Sequence, residues 1–147
     1  MTQREAIEKM AKYCAYQERC QFEVRTKLFG SGLSNDEIEN VICDLIEQKF
    51  LDELRFSKAF VKGKFNTKSW GKLKIKQHLK QKKISNSCIN KALDEISNED
   101  YFNKLNGLIK KKNKLLVTDN EYTRKQKIGR YLIGKGFESE IVWEELA

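Results

Sequence analysis

Apolar residues recur every three or four positions through most of this chain, which is the spacing of helices with one buried face. A first helix is predicted over about residues 4–16 and a second over about residues 21–29, where glycines 30–32 end it. Ser34 to Glu37 has the S-x-x-E form of a capping box and predicts the start of a third helix. The positions expected to face the core are Ile7, Met10, Ala11, Cys14, Phe22, Val24, Leu28, Ile38, Val41, Ile42 and Leu45.

This three-helix pattern returns twice further along the chain. Leu28 aligns with Leu79 after a shift of 51 residues and with Leu132 after a shift of 104. Self-similarity at a period of about 50 residues is typical of tandem helical repeats, and the absence of proline favours helices throughout. We therefore predict an all-α fold, an elongated tandem array of three three-helix repeats that resemble helix-turn-helix units. The predicted repeats span residues 1–53, 54–97 and 98–147.

The second and third repeats carry their own core candidates. In the second repeat the apolar residues at helical spacing are Phe56, Ala59, Phe60, Leu73, Ile75 and Leu79. The third repeat opens with a longer helix, predicted over about residues 99–117, and Thr118 to Asn120 breaks it before Glu121. Trp143 is expected to close the core of this last repeat.

Charge is unevenly distributed over a chain whose net charge is +8. Residues 1–53 hold 7 basic and 11 acidic residues, residues 54–96 hold 12 and 2, and residues 97–147 hold 10 and 8. From Arg55 to Lys83 there are eleven Lys or Arg and no Asp or Glu. Since the same stretch keeps helical apolar spacing, we interpret it as folded helices with a positive surface, which requires an acidic partner.

Residue types that would support catalysis are scarce. The four cysteines form no C-x-x-C pair and His78 is the single histidine, so no zinc-ligand spacing is present. A His-based triad would require His78, which lies among lysines and is interpreted as a solvent-exposed residue or a partner contact rather than a general base. No nucleotide-binding loop occurs either, and Asp52 with Glu53 is interpreted as stabilising a helix N-terminus. We predict a non-enzyme without cofactor or metal, with Cys14, Cys43 and Cys88 as buried free thiols.

The expected compartment is the cytoplasm. The chain begins with charged residues rather than a signal peptide, and no apolar run approaches the ~18 residues of a membrane span. Peripheral membrane attachment has little support, because the apolar residues of the basic helices are needed for the core.

Four stretches of the sequence carry a family resemblance. They are Phe50-Leu51-Asp52-Glu53-x-Arg55-Phe56-x-x-Ala59-Phe60-Val61, Arg19-x-x-x-Glu23-Val24-x-x-Lys27-Leu28, Trp70-Gly71-x-x-Lys74-Ile75-x-x-x-Leu79-x-x-Lys82-x-Ile84, and Arg130-Tyr131-Leu132-x-x-x-Gly136-Phe137. Together they resemble the RecX family of bacterial recombinase regulators over essentially the whole chain. The sequence departs from the family pattern where Cys20 replaces a capping Ser, His78 replaces a common Glu, and Trp70-Gly71 replaces Gly-Pro. The long first helix of the third repeat is a further departure.

The resemblance implies a partner and a role. RecX proteins bind the RecA recombinase along the helical groove of the RecA–DNA filament. There they restrain ATP hydrolysis, filament extension and strand exchange, and so modulate homologous recombination and the SOS response. The expected partners are RecA and the RecA–DNA filament, and the chain itself is expected to be a monomer. A weak nonspecific contact with DNA stays open.

Candidate contact residues come from the basic stretches. The first group, on the central repeat, is Arg55, Lys62, Lys64, Lys68, Trp70, Lys72, Lys74 and Lys76. A second group on the third repeat includes Lys110, Lys111, Arg124, Lys127 and Arg130. Trp70 is either an apolar anchor for the partner or a core residue packed between helices, and both interpretations stay open.

The main alternative function is a nonspecific nucleic-acid-binding helical module that uses the same lysines. Reading of the major groove by a third helix is disfavoured, because the third helices of the first and last repeats are rich in carboxylates. Such carboxylates would be repelled by phosphates.

Overall fold

A computed structural model describes all 147 residues as nine α-helices with no strand. The helices are α1 Gln3–Tyr16, α2 Gln21–Leu28, α3 Asn35–Glu47, α4 Glu53–Lys68, α5 Lys72–Gln81, α6 Asn86–Leu93, α7 Asn98–Leu115, α8 Glu121–Gly134 and α9 Ser139–Leu146. The prediction of an all-α chain of three tandem three-helix repeats is confirmed. None of the nine helices has the length and apolar character needed to cross a bilayer.

Local capping explains why most helices begin where they do. The Ser34 hydroxyl accepts from the amide of Glu37, and the Glu37 carboxylate accepts from the amide of Ser34, so the predicted capping box is present. The Asp52 carboxylate accepts from the Arg55 amide at 2.9 Å, which is the helix-stabilising role predicted for this residue. At Cys20 one of the two hydrogen bonds of a capping box is present, because the Glu23 carboxylate accepts from the Cys20 amide at 3.1 Å.

The buried side chains form two cores rather than one for each repeat. The first core is built within repeat 1, from Ala6 to Leu51. The second contains 18 buried residues and is shared by repeats 2 and 3, with Cys20 added from repeat 1. Burial raises the pKa of the Cys20 thiol to about 12, so this side chain is a neutral core residue.

Several expected core positions are instead open to water. Phe22 is 36% exposed and Leu73 is 53% exposed. Ala59 and Cys43 are also exposed and Cys88 is half-buried, so only Cys14 of the three predicted buried thiols is buried. The exposed ones lie off the helix stripe whose residues fill the core. Leu73, for example, is about 200° around the helix from Ile75.

Trp143 was expected to close the core of the third repeat, and its side chain is partly buried and partly exposed. The indole lies against Gly129 of α8, where an added Cβ would approach the ring to 2.1 Å. The remaining 36% of the side chain is exposed. Trp143 therefore covers the α8–α9 contact from outside, while Val142 and Leu146 supply the buried face of α9.

Repeat 3 supplies the N-terminal cap of α5. The amides of Gly71 and Leu73 donate to the carbonyl oxygens of Lys135 at 2.8 Å and Gly136 at 3.0 Å. The Lys72 amide donates to the Tyr101 hydroxyl at 3.0 Å, and that hydroxyl donates to the Glu138 carboxylate. Three amides at the start of α5, which have no partner within the helix, are thus satisfied by groups 29 or more residues away in sequence.

Two glycines permit this close approach. A Cβ on Gly71 would lie 2.4 Å from backbone atoms of Gly136 and Phe137. Gly136 has a φ of +99°, a conformation that favours glycine, and its own Cβ would meet Lys74 at 2.3 Å. We call this contact, formed by residues 71–74, Tyr101 and residues 135–138, the 2–3 junction.

Repeat 1 meets repeat 2 mainly through side chains. The Gln21 amide donates to the Glu53 carboxylate at 3.3 Å, and burial raises the pKa of Glu53. Lys82 pairs with Glu23 at 3.3 Å, and Arg55 Nε pairs with Glu18 at 2.6 Å. We call this set of contacts the 1–2 junction.

Candidate partner-binding surface

An open groove of about 670 Å³ runs between α4 and α5 and reaches the turn between α1 and α2 of repeat 1. Its floor includes the aromatic side chains of Phe56, Phe60 and Trp70. Lys64 and Lys68 of α4 and Lys82, directly after α5, also line it. We call it the Trp70 groove. The combination of an aromatic floor and a cationic rim suits an acidic partner segment that also carries apolar side chains.

Trp70 is surrounded by cations. Lys64 Nζ lies 5.0 Å and Lys74 Nζ 4.7 Å from the indole centroid, and the His78 ring packs beside it at 4.5 Å. The indole is half-buried and packs against the shared core of repeats 2 and 3. Both interpretations of Trp70 therefore hold in part, since one side of the ring packs inward and the rest is accessible from the groove.

The pKa of His78 reflects the electrostatics of this groove. Partial burial and the nearby charges of Lys74, Lys64 and Lys82 lower the pKa of its imidazole below the usual 6.5. The side chain is consequently neutral near pH 7. An anion in the groove would oppose this shift, because it would stabilise the imidazolium form.

The carboxylates at the far end of the groove are already partnered. Glu18 accepts from Arg55, and Glu23 accepts from Lys82 and from the Cys20 amide. These internal pairs leave Lys64 and Lys68 as the lysines lining the groove that form no ion pair. Lys74, which lies against the Trp70 indole, forms none either. The groove thus has a neutral end towards repeat 1 and a positive end near Trp70 and the C-terminal part of α4.

The remaining candidates of the first group are dispersed around repeat 2. Arg55 is occupied by Glu18 and by the carbonyl oxygens of Lys49 and Phe50. Lys62 lines a smaller cleft on another side of α4, next to the Lys58–Glu95 ion pair. Lys72 lies over the Tyr101 ring and Lys76 is on the outer face of α5. The structure thus brings together Lys64, Lys68, Trp70 and Lys74, and does not join the other four to them.

The second group is also divided. Lys110 and Lys111 line a cleft between the end of α4 and α7. Arg124, Lys127 and Arg130 are on α8, where Lys127 pairs with Asp119 at 2.9 Å. Lys127 is therefore partly neutralised within its own repeat.

Sequence reasoning missed three lysines that belong to these surfaces. Lys82 lines the Trp70 groove, and Lys104 and Lys114 line the cleft with Lys110 and Lys111. Helical spacing contained the signal for the last two, because Lys104 is seven residues before Lys111 and Lys114 is four after Lys110. No group of three or more His, Cys, Asp or Glu side chains is arranged to hold a metal ion.

Comparison with known proteins gives a consistent match over the three repeats. Family models for the first, second and third three-helix domains of RecX match residues 6–45, 52–93 and 99–146. Proteins named regulatory protein RecX are similar in sequence. The one from Halalkalibacterium halodurans is 34% identical over 135 residues, and the one from Clostridium tetani is 35% identical over 126. A third, from Prosthecochloris aestuarii, is 30% identical over 143 residues.

Coverage differs between these relatives. The matches take in 92%, 84% and 97% of this chain, but 51%, 56% and 92% of the three relatives. The chain thus spans about half the length of the first two and nearly all of the third.

Solved structures agree in fold. A crystal structure of regulatory protein RecX matches with a TM-score of 0.87 at 29% identity, covering 98% of this chain and 72% of that one. The crystal structure of RecX from Lactobacillus salivarius has the same TM-score at 24% identity, covering 98% and 96%, and shows likeness of fold alone. Since the three domain models match the three repeats in order and a relative is 30% identical with 92% of its length covered, the chain belongs to the RecX family.

Proposed function

We propose that this chain regulates the RecA recombinase by binding RecA and the RecA–DNA filament. In this proposal it inhibits ATP hydrolysis, filament extension and strand exchange, and thereby modulates homologous recombination and the SOS response. Membership of the RecX family supports the regulatory role, since the relatives are named regulatory proteins. The RecA partner comes from the family resemblance of the sequence.

The Trp70 groove is the single observation that carries the proposal for this chain. Lys64 and Lys74 lie against a half-buried indole, and Lys68 lines the same groove. Trp is enriched among residues that dominate binding energy at interfaces. A partner segment with a carboxylate and an apolar side chain would pair with the lysines and cover the ring. The dispersed candidates Lys62, Lys72 and Lys76, with Lys110, Lys111, Arg124 and Arg130, are proposed as further contacts.

The mechanism proposed is steric and does not involve catalysis or a cofactor. A monomeric array of repeats bounded at residues 53/54 and 97/98 would span more than one filament subunit in the cytoplasm. Its rigidity would then oppose the subunit motions that accompany nucleotide hydrolysis. The hydrogen-bonded 2–3 junction supports this rigidity, because it fixes α5 against repeat 3.

A RecA ATPase assay with matched variants tests the proposal. The site variant carries Lys64→Gln, Lys68→Gln and Lys74→Gln. The control variant carries Lys9→Gln, Lys12→Gln and Lys91→Gln, three exposed lysines outside the groove with the same total charge change. We expect the site variant to inhibit at least about tenfold more weakly than the control.

Two outcomes contradict the proposal. Equal inhibition by the two variants, both folded by circular dichroism, would remove the Trp70 groove as the contact site. Absence of any effect on RecA by the unaltered protein, together with binding to naked DNA, would favour the alternative of a nonspecific nucleic-acid-binding module.

A further inference from the structure

We propose that the cleft between the C-terminal part of α4 and α7 binds the phosphodiester backbone of single-stranded nucleic acid. This α7 cleft has a volume of about 790 Å³ and is separate from the Trp70 groove. Its lysines are Lys104, Lys110, Lys111 and Lys114. The long first helix of the third repeat, a departure from the family pattern, supplies all four.

Charge is the first argument for this ligand. Asp100 is the one carboxylate that lines the cleft beside the four lysines. The lysines that form ion pairs in this protein are others, namely Lys58, Lys82, Lys125 and Lys127. The cleft therefore keeps a concentrated positive charge that no internal acid neutralises, and such a surface attracts a polyanion.

The neutral lining is the second argument. Asn66, Ser69 and Asn103 line the cleft and carry side-chain groups that hydrogen-bond phosphate or sugar oxygens. Only Phe65 and Leu108 are apolar, and Lys104 Nζ lies 5.2 Å from the Phe65 ring centroid. The lining thus favours sequence-independent contact with a backbone, whereas the Trp70 groove, with an aromatic floor and two carboxylates, favours a protein segment.

Dimensions are the third argument. Lys104 and Lys114 are ten residues apart on one helix, which corresponds to about 15 Å along its axis. At the duplex rise of about 3.4 Å per nucleotide, that length covers at most roughly four nucleotides, and fewer of a more extended single strand. Gly107 lies midway, and no atom is within 4 Å of the point where its Cβ would be, so the centre of the cleft is open. Walls from two helices suit a narrow single strand.

Fluorescence anisotropy with a labelled single-stranded oligonucleotide and the full chain, without RecA, tests the inference. The cleft variant carries Lys104→Gln, Lys111→Gln and Lys114→Gln, and the control again carries Lys9→Gln, Lys12→Gln and Lys91→Gln. We expect the cleft variant to bind about tenfold or more weaker than the control. The slope of log affinity against log salt should also fall by about 2, at about 0.7 for each lost phosphate contact.

A second variant tests the shape of the cleft without changing its charge. Gly107→Leu places a side chain in the open centre and improves helix propensity, so it should fold. We expect it to weaken single-strand binding several-fold while the net charge stays the same. Binding equal to that of the unaltered protein would overturn the inference.

Other results would overturn it as well. The cleft and control variants would lose affinity equally if only the overall charge mattered. Cleft substitutions that weaken duplex binding more than single-strand binding would identify a duplex as the ligand. Polyglutamate that competes as well as the oligonucleotide would identify an acidic protein as the occupant.

The inference is independent of the proposed RecA partner, because the assay contains no other protein. A chain that binds a single strand through the α7 cleft but leaves RecA ATPase unchanged would support the inference and reject the proposed function. The reverse result would reject the cleft alone.

Discussion

The two junctions between neighbouring repeats are built from different interactions. At the 2–3 junction, three backbone amides at the start of α5 donate to repeat 3, two of them to backbone carbonyl oxygens and one to the Tyr101 hydroxyl. The two repeats also share one core. At the 1–2 junction, the polar contacts run between side chains or from a side chain to an amide, and repeat 1 keeps its own core. Although the repeats are similar in sequence, repeats 2 and 3 form one tightly joined pair, and repeat 1 is attached to this pair as a separate unit.

The energetic difference follows from the kind of group involved. An amide left unpaired in a buried place costs about 1–3 kcal/mol, and such a loss would be repeated at each amide of the 2–3 junction. A partly exposed ion pair contributes about 0–1 kcal/mol and weakens with salt. We expect the 1–2 junction to open more readily, and this affects the Trp70 groove because Glu18 and Glu23 of repeat 1 line it.

The largest effect is expected from Gly71→Ala. Its Cβ would meet the backbone of Gly136 and Phe137 at 2.4 Å, so the 2–3 junction must open to accept it. We expect the free energy of unfolding, measured in urea, to fall by about 3 kcal/mol or more. Gly63→Ala is the control: its Cβ would meet no atom within 4 Å, and we expect a gain of up to about 1 kcal/mol. Equal stability of the two variants would contradict the close packing described for this junction.

A smaller effect is expected from Tyr101→Phe. The substitution removes the hydroxyl that accepts from the Lys72 amide and donates to Glu138. Burial and the bond to Glu138 raise the pKa of this hydroxyl, so it is the protonated donor at neutral pH. We expect a loss of about 2 kcal/mol in urea unfolding. Tyr122→Phe, at a side chain 75% exposed, should change stability by less than about 0.5 kcal/mol.

Substitutions at the 1–2 junction should change the free energy of unfolding less than those at the 2–3 junction, and their effect should depend on salt. A double-mutant cycle with Glu23→Gln and Lys82→Gln is expected to give a coupling energy of up to about 1 kcal/mol that declines as salt is added. The exposed Arg4–Glu8 pair is the reference, with a coupling near zero. A coupling of Glu23 with Lys82 that is large and insensitive to salt would mean that the two junctions are equally firm.

The smallest effect concerns His78, which packs beside Trp70 in the groove that reaches repeat 1. Because its pKa is lowered in the folded chain, the unfolded chain binds the proton more tightly. Stability should therefore decrease as the pH falls below about 6.5 and should level off below the folded pKa. Nuclear magnetic resonance can follow this single histidine directly. Lys74→Gln should raise its pKa, and an unchanged value would show that the lysine charge does not act on the imidazole.

Much of the fold was predictable because its signals are local. The spacing from Ile38 to Leu45 and the Ser34–Glu37 box define α3 without reference to the rest of the chain. The sharing of one core by two repeats was not predictable in this way. Gly71 and Gly136 are 65 residues apart, and nothing in either local sequence indicates that their backbones touch.

For the candidate site, the sequence predicted which residue types are present better than it predicted how they are arranged in space. Lysines at alternate positions, such as Lys62 and Lys64, lie on different sides of a helix because two residues turn it by about 200°. A count of charges over a stretch does not register this rotation. The occupation of Arg55 by Glu18 depends on repeat 1 folding back to α4, which the spacing within one repeat cannot indicate.

The cap of α5 also has a consequence for how the protein is synthesised. A ribosome releases the chain from its N-terminus, so repeat 1 can close its own core early. The amides of residues 71–73 cannot form their hydrogen bonds until Tyr101, Lys135 and Gly136, which supply the acceptors, have been translated. The middle of the sequence is therefore among the last parts to reach its final structure, and a message truncated before residue 135 yields a central repeat with an unfinished helix.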